Sequence, residues 1–230
     1  MNVLPEDLFH KIVAIDTPTL CNALEKLVDR AFTTGYTGSN LRCLTKPRSV
    51  GGYAATVTLT TRKPPAGREP ISMAEYLDHL DTVPSPRIAI LYDEDDVPCG
   101  AAAFGDVMAN YHKAMGCVAM VTNGVVRDLV GIEAAGMACY AQGLIASHGY
   151  FHFLRTGEPV NIHGLTIHQN DFLVGDEHGL VQIPLEVADR IPSEVERIRR
   201  REERLITYCQ SGGFTKEGFV ALTSQEAEHH

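Results

Sequence analysis

The sequence predicts an α/β fold in which a parallel strand unit and antiparallel hairpins share one core, with helices extending it at both ends. Three observations carry that expectation. Over residues 87–141 the apolar runs alternate strand, helix, strand, helix, strand, which requires parallel pairing through right-handed crossovers. Over residues 161–183 the pattern changes to short apolar runs divided by tight polar turns, the spacing of hairpins. A hydrophobic content of 44% over 230 residues is enough to bury one sizeable core.

The elements follow in order. Thr17-Pro18 reads as a helix opening, with a hydroxyl N-cap and proline at the first helical position, and Leu20, Leu24, Leu27 and Val28 fall on one face. Gly51-Gly52 introduces a strand over 53–60. Residues 61–70 are rich in proline and glycine and read as a flexible loop; a helix over 72–80 follows. A strand over 87–92 runs into an acidic loop over 93–96, of which Glu94-Asp95-Asp96 read as solvated. The next helix should run from Asp106 to Met115, ended by Gly116, then a strand over 117–122 and a turn at Asn123-Gly124. A helix from Arg127 or Asp128 to Gly136 and a strand over 137–141 complete the unit. Residues 161–167 read as one hairpin, and 172–183 as a second whose turn is shaped by Asp176 and His178. Pro184 opens a short helix, and Ser193 with Glu196 reads as the capping box of a long one. The expected division is a domain over 1–192 and a C-terminal helical extension over 193–228 that packs on a neighbouring subunit.

Composition excludes several classes. The net charge of −9 argues against nucleic acid as a partner, and the basic run 197–204 is interrupted by Glu202 and Glu203, as on a solvated helix face. The six cysteines lack zinc-knuckle or redox spacing and read as reduced thiols of a cytoplasmic protein. Residues 1–15 do not resemble a secretory signal, and no apolar run reaches the roughly 18 residues of a membrane span.

Chemistry concentrates at Asp106 and, beyond the twenty residues 107–126, at Arg127-Asp128. Both stand where the chain turns into a helix, which in a parallel unit is the carboxyl edge of the strands, where ligands bind. The helix start at Val107 and Met108 offers unpaired N–H groups to an anion. Arg127 can grip a carboxylate in bidentate fashion, Asp128 offers a hard oxygen to a divalent cation, and Asp106 a second carboxylate for water or proton transfer. Spacing alone leaves a plainer reading equally open: Asp106 and Asp128 as helix caps, Arg127 as a surface ion-pair partner.

Residues 104–109, Phe-Gly-Asp-Val-Met-Ala, followed by 124–128, Gly-Val-Val-Arg-Asp, resemble the D-x20-R-D signature of the RraA-like and 4-hydroxy-4-methyl-2-oxoglutarate aldolase family. The glycine-led strand at 50–57, the closing hairpin at 164–184 and the helix at 17–25 are similar to that family too, so the likeness covers roughly residues 10–192. Three departures stand outside the signature: Gln169-Asn170-Asp171 in place of Pro-Gly-Asp, and Asn22 and Asn123 where Asp is common.

The resemblance implies a swivelling β/β/α core assembled as a homotrimer or a dimer of trimers. It implies a class II pyruvate aldolase that cleaves a 4-hydroxy-2-oxo acid to pyruvate and a second oxo acid, with oxaloacetate decarboxylation alongside. Arg127 would hold the pyruvyl group, Asp128 would bind Mg²⁺ or Mn²⁺, and Asp106 would orient a water on the metal. The amides of Val107 and Met108 would receive the substrate carboxylate, and Glu202 or Glu203 would come from a neighbouring subunit. The same family contains RraA, a regulator of ribonuclease E, and the scaffold also suits other enolate chemistry. His148 is a substrate-contact candidate; His148 and His152 do not read as a metal pair, because their glycine and aromatic neighbours argue against a helix.

Overall fold

A computed structural model describes residues 3–46, 49–62, 69–95 and 98–227. Most of the loop expected at 61–70, and Asp96 of the acidic segment, lie outside the described residues.

The described chain forms α1 (Glu6–Val13), α2 (Thr17–Leu27), β1 (Arg42–Cys43), β2 (Val50–Thr60), α3 (Met73–Asp81), β3 (Arg87–Asp93), α4 (Asp106–Ala114), β4 (Cys117–Thr122), β5 (Val125–Val126), α5 (Leu129–Ala134) and β6 (Ala138–Ala141). It continues through β7 (Gly143–Leu144), β8 (His152–Thr156), β9 (Val160–Ile162), β10 (Leu165–Ile167), β11 (Phe172–Asp176), β12 (Gly179–Gln182), a 3-10 turn (Leu185–Arg190), α6 (Ile191–Gln210) and α7 (Lys216–Ala227).

The main sheet has the order β1-β6-β4-β3-β2-β11-β12. Strands β2, β3, β4 and β6 are mutually parallel, as the alternation predicts. Strand β2 is buried along its whole length, with β11 antiparallel to its first half and β8 to its second. Side chains alternate across the sheet. Ala55, Val57, Leu59, Ala89 and Leu91 face the helices, whereas Ala54, Ile88, Ile90, Ala119 and Val121 face the β9–β10 hairpin with Leu165 and Ile167. The hairpin layer, the main sheet and the helices give the β/β/α layering, with helices at both ends of the chain.

Three local expectations need correction. The N-cap of α2 is Asp16, whose side chain accepts from the Thr19 amide; the Thr17 hydroxyl instead donates to Asp176 at 2.7 Å. Helix α6 begins at Ile191, because the 3-10 turn runs straight into it, and the Ser193 hydroxyl donates back to the Arg190 carbonyl rather than forming a capping box. The described part of the Glu94-Asp95-Asp96 cluster is not simply solvated: Asp95 is fixed by threonines and Glu94 pairs with Arg155, next to a buried Asp93. Helix α3 does carry the capping box, formed by Ser72 and Glu75.

Candidate functional site

Helices α4 and α5 both begin at the carboxyl edge of the parallel strands. The segment leading into α4 runs beside the one leading into α5. The Ala103 amide donates to the Val125 carbonyl at 2.8 Å, and the Arg127 amide to the Phe104 carbonyl at 3.1 Å. This seam puts Asp106 next to Arg127-Asp128 although the sequence separates them by a full crossover.

Two glycines permit the approach. A Cβ on Gly105 would stand 2.7 Å from Asp128 Oδ2 and 3.3 Å from Arg127 Cγ, so the bare α-carbon forms the floor beneath both side chains. A Cβ on Gly131 would stand 2.5 Å from Asp106 Cβ, so only glycine lets α5 pass so close to the start of α4. Gly105 stands in the sequence signature directly before the Asp, whereas nothing in the sequence marks Gly131.

Asp128 occupies the N-cap position of α5 yet makes no side-chain cap bond. Its backbone is left-handed, φ 56° and ψ 40°, a conformation that costs non-glycine residues strain, though aspartate, like His163 and Asn170 in this chain, tolerates it better than most. Capping therefore does not account for Asp128. Its carboxylate is 3.2 Å from Arg127 Nε, both side chains about two-fifths exposed, so the pair adds little stability and its remaining bonding capacity faces solvent. Asp106 is the first residue of α4, after Gly105, and its Oδ1 accepts from the Val107 amide at 2.7 Å. Val107 is thus an amide already engaged by a carboxylate oxygen. The oxygens of Asp106 and Asp128, hard donors beside a glycine floor, suit a divalent cation of the Mg²⁺ or Mn²⁺ kind.

Residues 17–182 match the RraA-like family, described as Aldolase/RraA. The chain belongs to that family. The family includes both aldolases and RraA regulators. A curated relative is protein DlpA of Legionella pneumophila, 23% identical over 208 residues; the match takes in 86% of this chain, which spans about a third of that relative (33%). Two solved structures share the fold. An uncharacterized protein from Pseudomonas syringae has a TM-score of 0.72 at 20% identity, covering 97% of this chain and 96% of that one. RraAS2 of Streptomyces coelicolor, titled an unusual member of the RNase ES inhibitor RraA protein family, has a TM-score of 0.67 at 19% identity, covering 88% and 97%.

In this RraA-like chain a groove of about 690 Å³ adjoins the seam, walled by Thr61, Arg62, Ala101, Ile145, His148 and Tyr150. The Ala102 amide donates to Ser147, and the Ile145 amide to Val126, one residue before Arg127. His148 is exposed on this wall, its Nδ1 2.9 Å from the Gly149 carbonyl.

Beneath the groove lies a network absent from the sequence reading. The Thr61 hydroxyl lies 3.1 Å from Asp93 Oδ2 and from Asp95 Oδ2, Thr60 donates to Asp95 Oδ1, and the Asp95 amide donates to Asp93. Burial, with the Asp95 charge adding to it, pushes the Asp93 carboxyl up to about 7. Asn123 exchanges two bonds with the Asp93 backbone, accepting from its amide and donating to its carbonyl. An aspartate could make only the first, which is a physical reason for asparagine here.

Glu202 borders a different groove, between α2 and α6, with Asn22, Lys26 and Arg197; Glu203 is exposed on α6. Asp176, Glu177 and His178 offer donor atoms within 4.8 Å of one another. The Asp176 carboxylate, however, already accepts from the Thr17 amide and hydroxyl and from the His178 amide, which suits the turn-shaping role expected of it. No helix among the described residues is long and apolar enough to cross a membrane.

Proposed function

We propose that this chain is a divalent-metal-dependent carbon–carbon lyase that releases pyruvate from a 4-hydroxy-2-oxo acid, with oxaloacetate decarboxylation as a side activity. The observation that carries this reading is the half-exposed Arg127–Asp128 pair on the Gly105 floor, beside Asp106. Mg²⁺ or Mn²⁺, held by Asp128 with Asp106 alongside, would supply Lewis-acid stabilisation of enolate charge.

The chain's own residues have separable tasks. The Arg127 guanidinium holds the pyruvyl group and sets fixed positive charge where the enolate oxygen develops. The Met108 amide, at the positive end of α4, receives the substrate carboxylate, and Val107 joins it when Asp106 releases its amide. Asp106 then takes the C4 hydroxyl proton through water. The C3–C4 bond breaks as the C4 carbonyl forms, and the electron pair passes into the pyruvate enolate. Return of a proton to C3 completes pyruvate.

The groove beside the seam, with His148 on its wall, is the place for the half of the substrate beyond C4. Around the triad Val107, Val130 and Leu144 are 75%, 83% and 58% exposed. Large apolar side chains in such numbers beside a polar site favour cover by a second copy, in keeping with a homotrimer or dimer of trimers and with an acid from a neighbour's residues 193–228, Glu202 or Glu203.

The test is pyruvate release from a panel of 4-hydroxy-2-oxo acids and oxaloacetate, with Mg²⁺ or Mn²⁺. Turnover abolished by Asp128→Ala is expected. No turnover of any panel member, or full activity in Asp128→Ala, overturns the reading; binding to an RNase E-type enzyme in its place would assign the chain to the regulators.

A further inference from the structure

We propose that His112 and Tyr76 are positioning residues that hold the first turn of α4 in register for anion binding. The inference rests on the reading of Val107 and Met108 given above. Both side chains are completely buried, and the Tyr76 hydroxyl lies 2.6 Å from His112 Nε2. His112 Nδ1 lies 2.7 Å from the Met108 carbonyl. A carbonyl only accepts, so Nδ1 carries the hydrogen and Nε2 accepts from tyrosine. Burial keeps the ring neutral, lowering its pKa to about 4, so the tautomer and direction of the chain Tyr76 to His112 to Met108 are fixed at physiological pH.

A buried histidine on a helix is ordinarily no more than a satisfied core residue. Three features argue for more here. The Met108 carbonyl lies within α4 and has its place in the helical ladder, so the imidazole bond is additional to what the helix needs. The Asn110 side chain donates to the Asp106 carbonyl at 2.9 Å in the same i to i−4 sense, so two carbonyls of this one turn are held. Asn110 lies on the solvent side and His112 on the core side. Tyr76 is itself fixed, stacked on Phe153 with ring centres 4.0 Å apart, and Phe153 meets Phe151 edge-on at 4.8 Å, directly after Tyr150 of the groove wall. The turn bearing the anion-receiving amides is thereby tied to α3 and β8. Misplacement of binding groups by about 1 Å can cost on the order of 100-fold in rate, so such a clasp has a measurable task.

The experiment compares Tyr76→Phe, His112→Phe and His112→Asn with the parent protein, by pyruvate-release kinetics with Mg²⁺ and by the amide resonances of Val107 and Met108 in ¹⁵N-labelled protein. His112→Phe is expected to raise KM about tenfold with kcat changed less than about threefold, and to shift or broaden both resonances. His112→Asn, able to donate to Met108 as Asn110 does to Asp106, should restore most of that loss. A fall in Tm with KM and both resonances unchanged overturns the proposal, leaving the pair as core packing. If His112→Phe does not fold, Tyr76→Phe decides by the same criteria. Should the parent release no pyruvate, the functional reading fails by itself, and the resonances still decide whether the pair orders the turn.

Discussion

Two acidic groups occupy the same carboxyl edge of the parallel strands and are built in opposite ways. Asp93 is buried, its oxygens engaged by Thr61 and the Asp95 amide, and its backbone clasped by Asn123. Asp128 is two-fifths exposed, makes no cap bond, and sits in left-handed backbone against a glycine floor. The first satisfies its polar atoms internally and so serves to join β2, β3 and β4; the second keeps bonding capacity facing solvent. Carboxylates alike in sequence are told apart by what already bonds to them.

Mutation should separate the two sharply. Under the proposed function, Arg127→Ala and Asp128→Ala should each lower kcat/KM by about 100- to 1000-fold while Tm moves by only a few degrees, since on that reading they remove a group aimed at developing charge rather than a buried contact. Pyruvate-release assays beside thermal melts check this; large destabilisation would erase the contrast. Next in size, Gly105→Ala should push the Asp128 carboxylate off its floor and cost about ten- to a hundredfold in activity, again with a modest change in Tm. Asp93→Ala should do the reverse: a loss on the order of 2 kcal/mol in denaturant unfolding, from stranding the Asp95 amide and emptying a buried site, with kcat changed far less.

A subtler test uses pH. Asp93 titrates near 7 in the folded protein, above an ordinary carboxyl, so its contribution is fully present below about pH 4 and is lost as pH rises through 7. His112 titrates near 4, below an ordinary imidazole, so its contribution is present above about 6.5 and is lost as pH falls through 4. Because the two groups act in opposite directions between pH 5 and 7, Asp93→Asn should shift the change in unfolding free energy over that interval towards a gain in stability relative to the parent. The smallest effect expected is from Glu94→Gln, whose partly exposed ion pair with Arg155 should be worth less than about 1 kcal/mol.

Much of the fold was legible because periodicity reports which faces are buried: β3, α4, β4, α5 and β6 stand close to where the apolar runs put them. The resemblance of residues 104–128 to a known signature made the candidate triad legible as well. What escaped was set by tertiary partners. Thr17 looks like a cap until Asp176, distant in sequence, takes its hydroxyl. Asp95 looks solvated until the end of β2 brings Thr60 and Thr61 over it. Gly131 carries no signal in the sequence, and its task emerges only where Asp106 packs against it.

The seam between the approaches to α4 and α5 also explains what the twenty-residue interval measures. It is the length of one excursion: down α4 to the far edge of the sheet, round the left-handed Gly116, and back up β4. The interval works as a gauge. A residue inserted at the far turn, near Met115-Gly116, can be taken up as slack where the chain reverses. One inserted between Asn123 and Arg127 cannot, because it would slide the Phe104–Arg127 pairing by one step and turn the guanidinium to the opposite side of the seam.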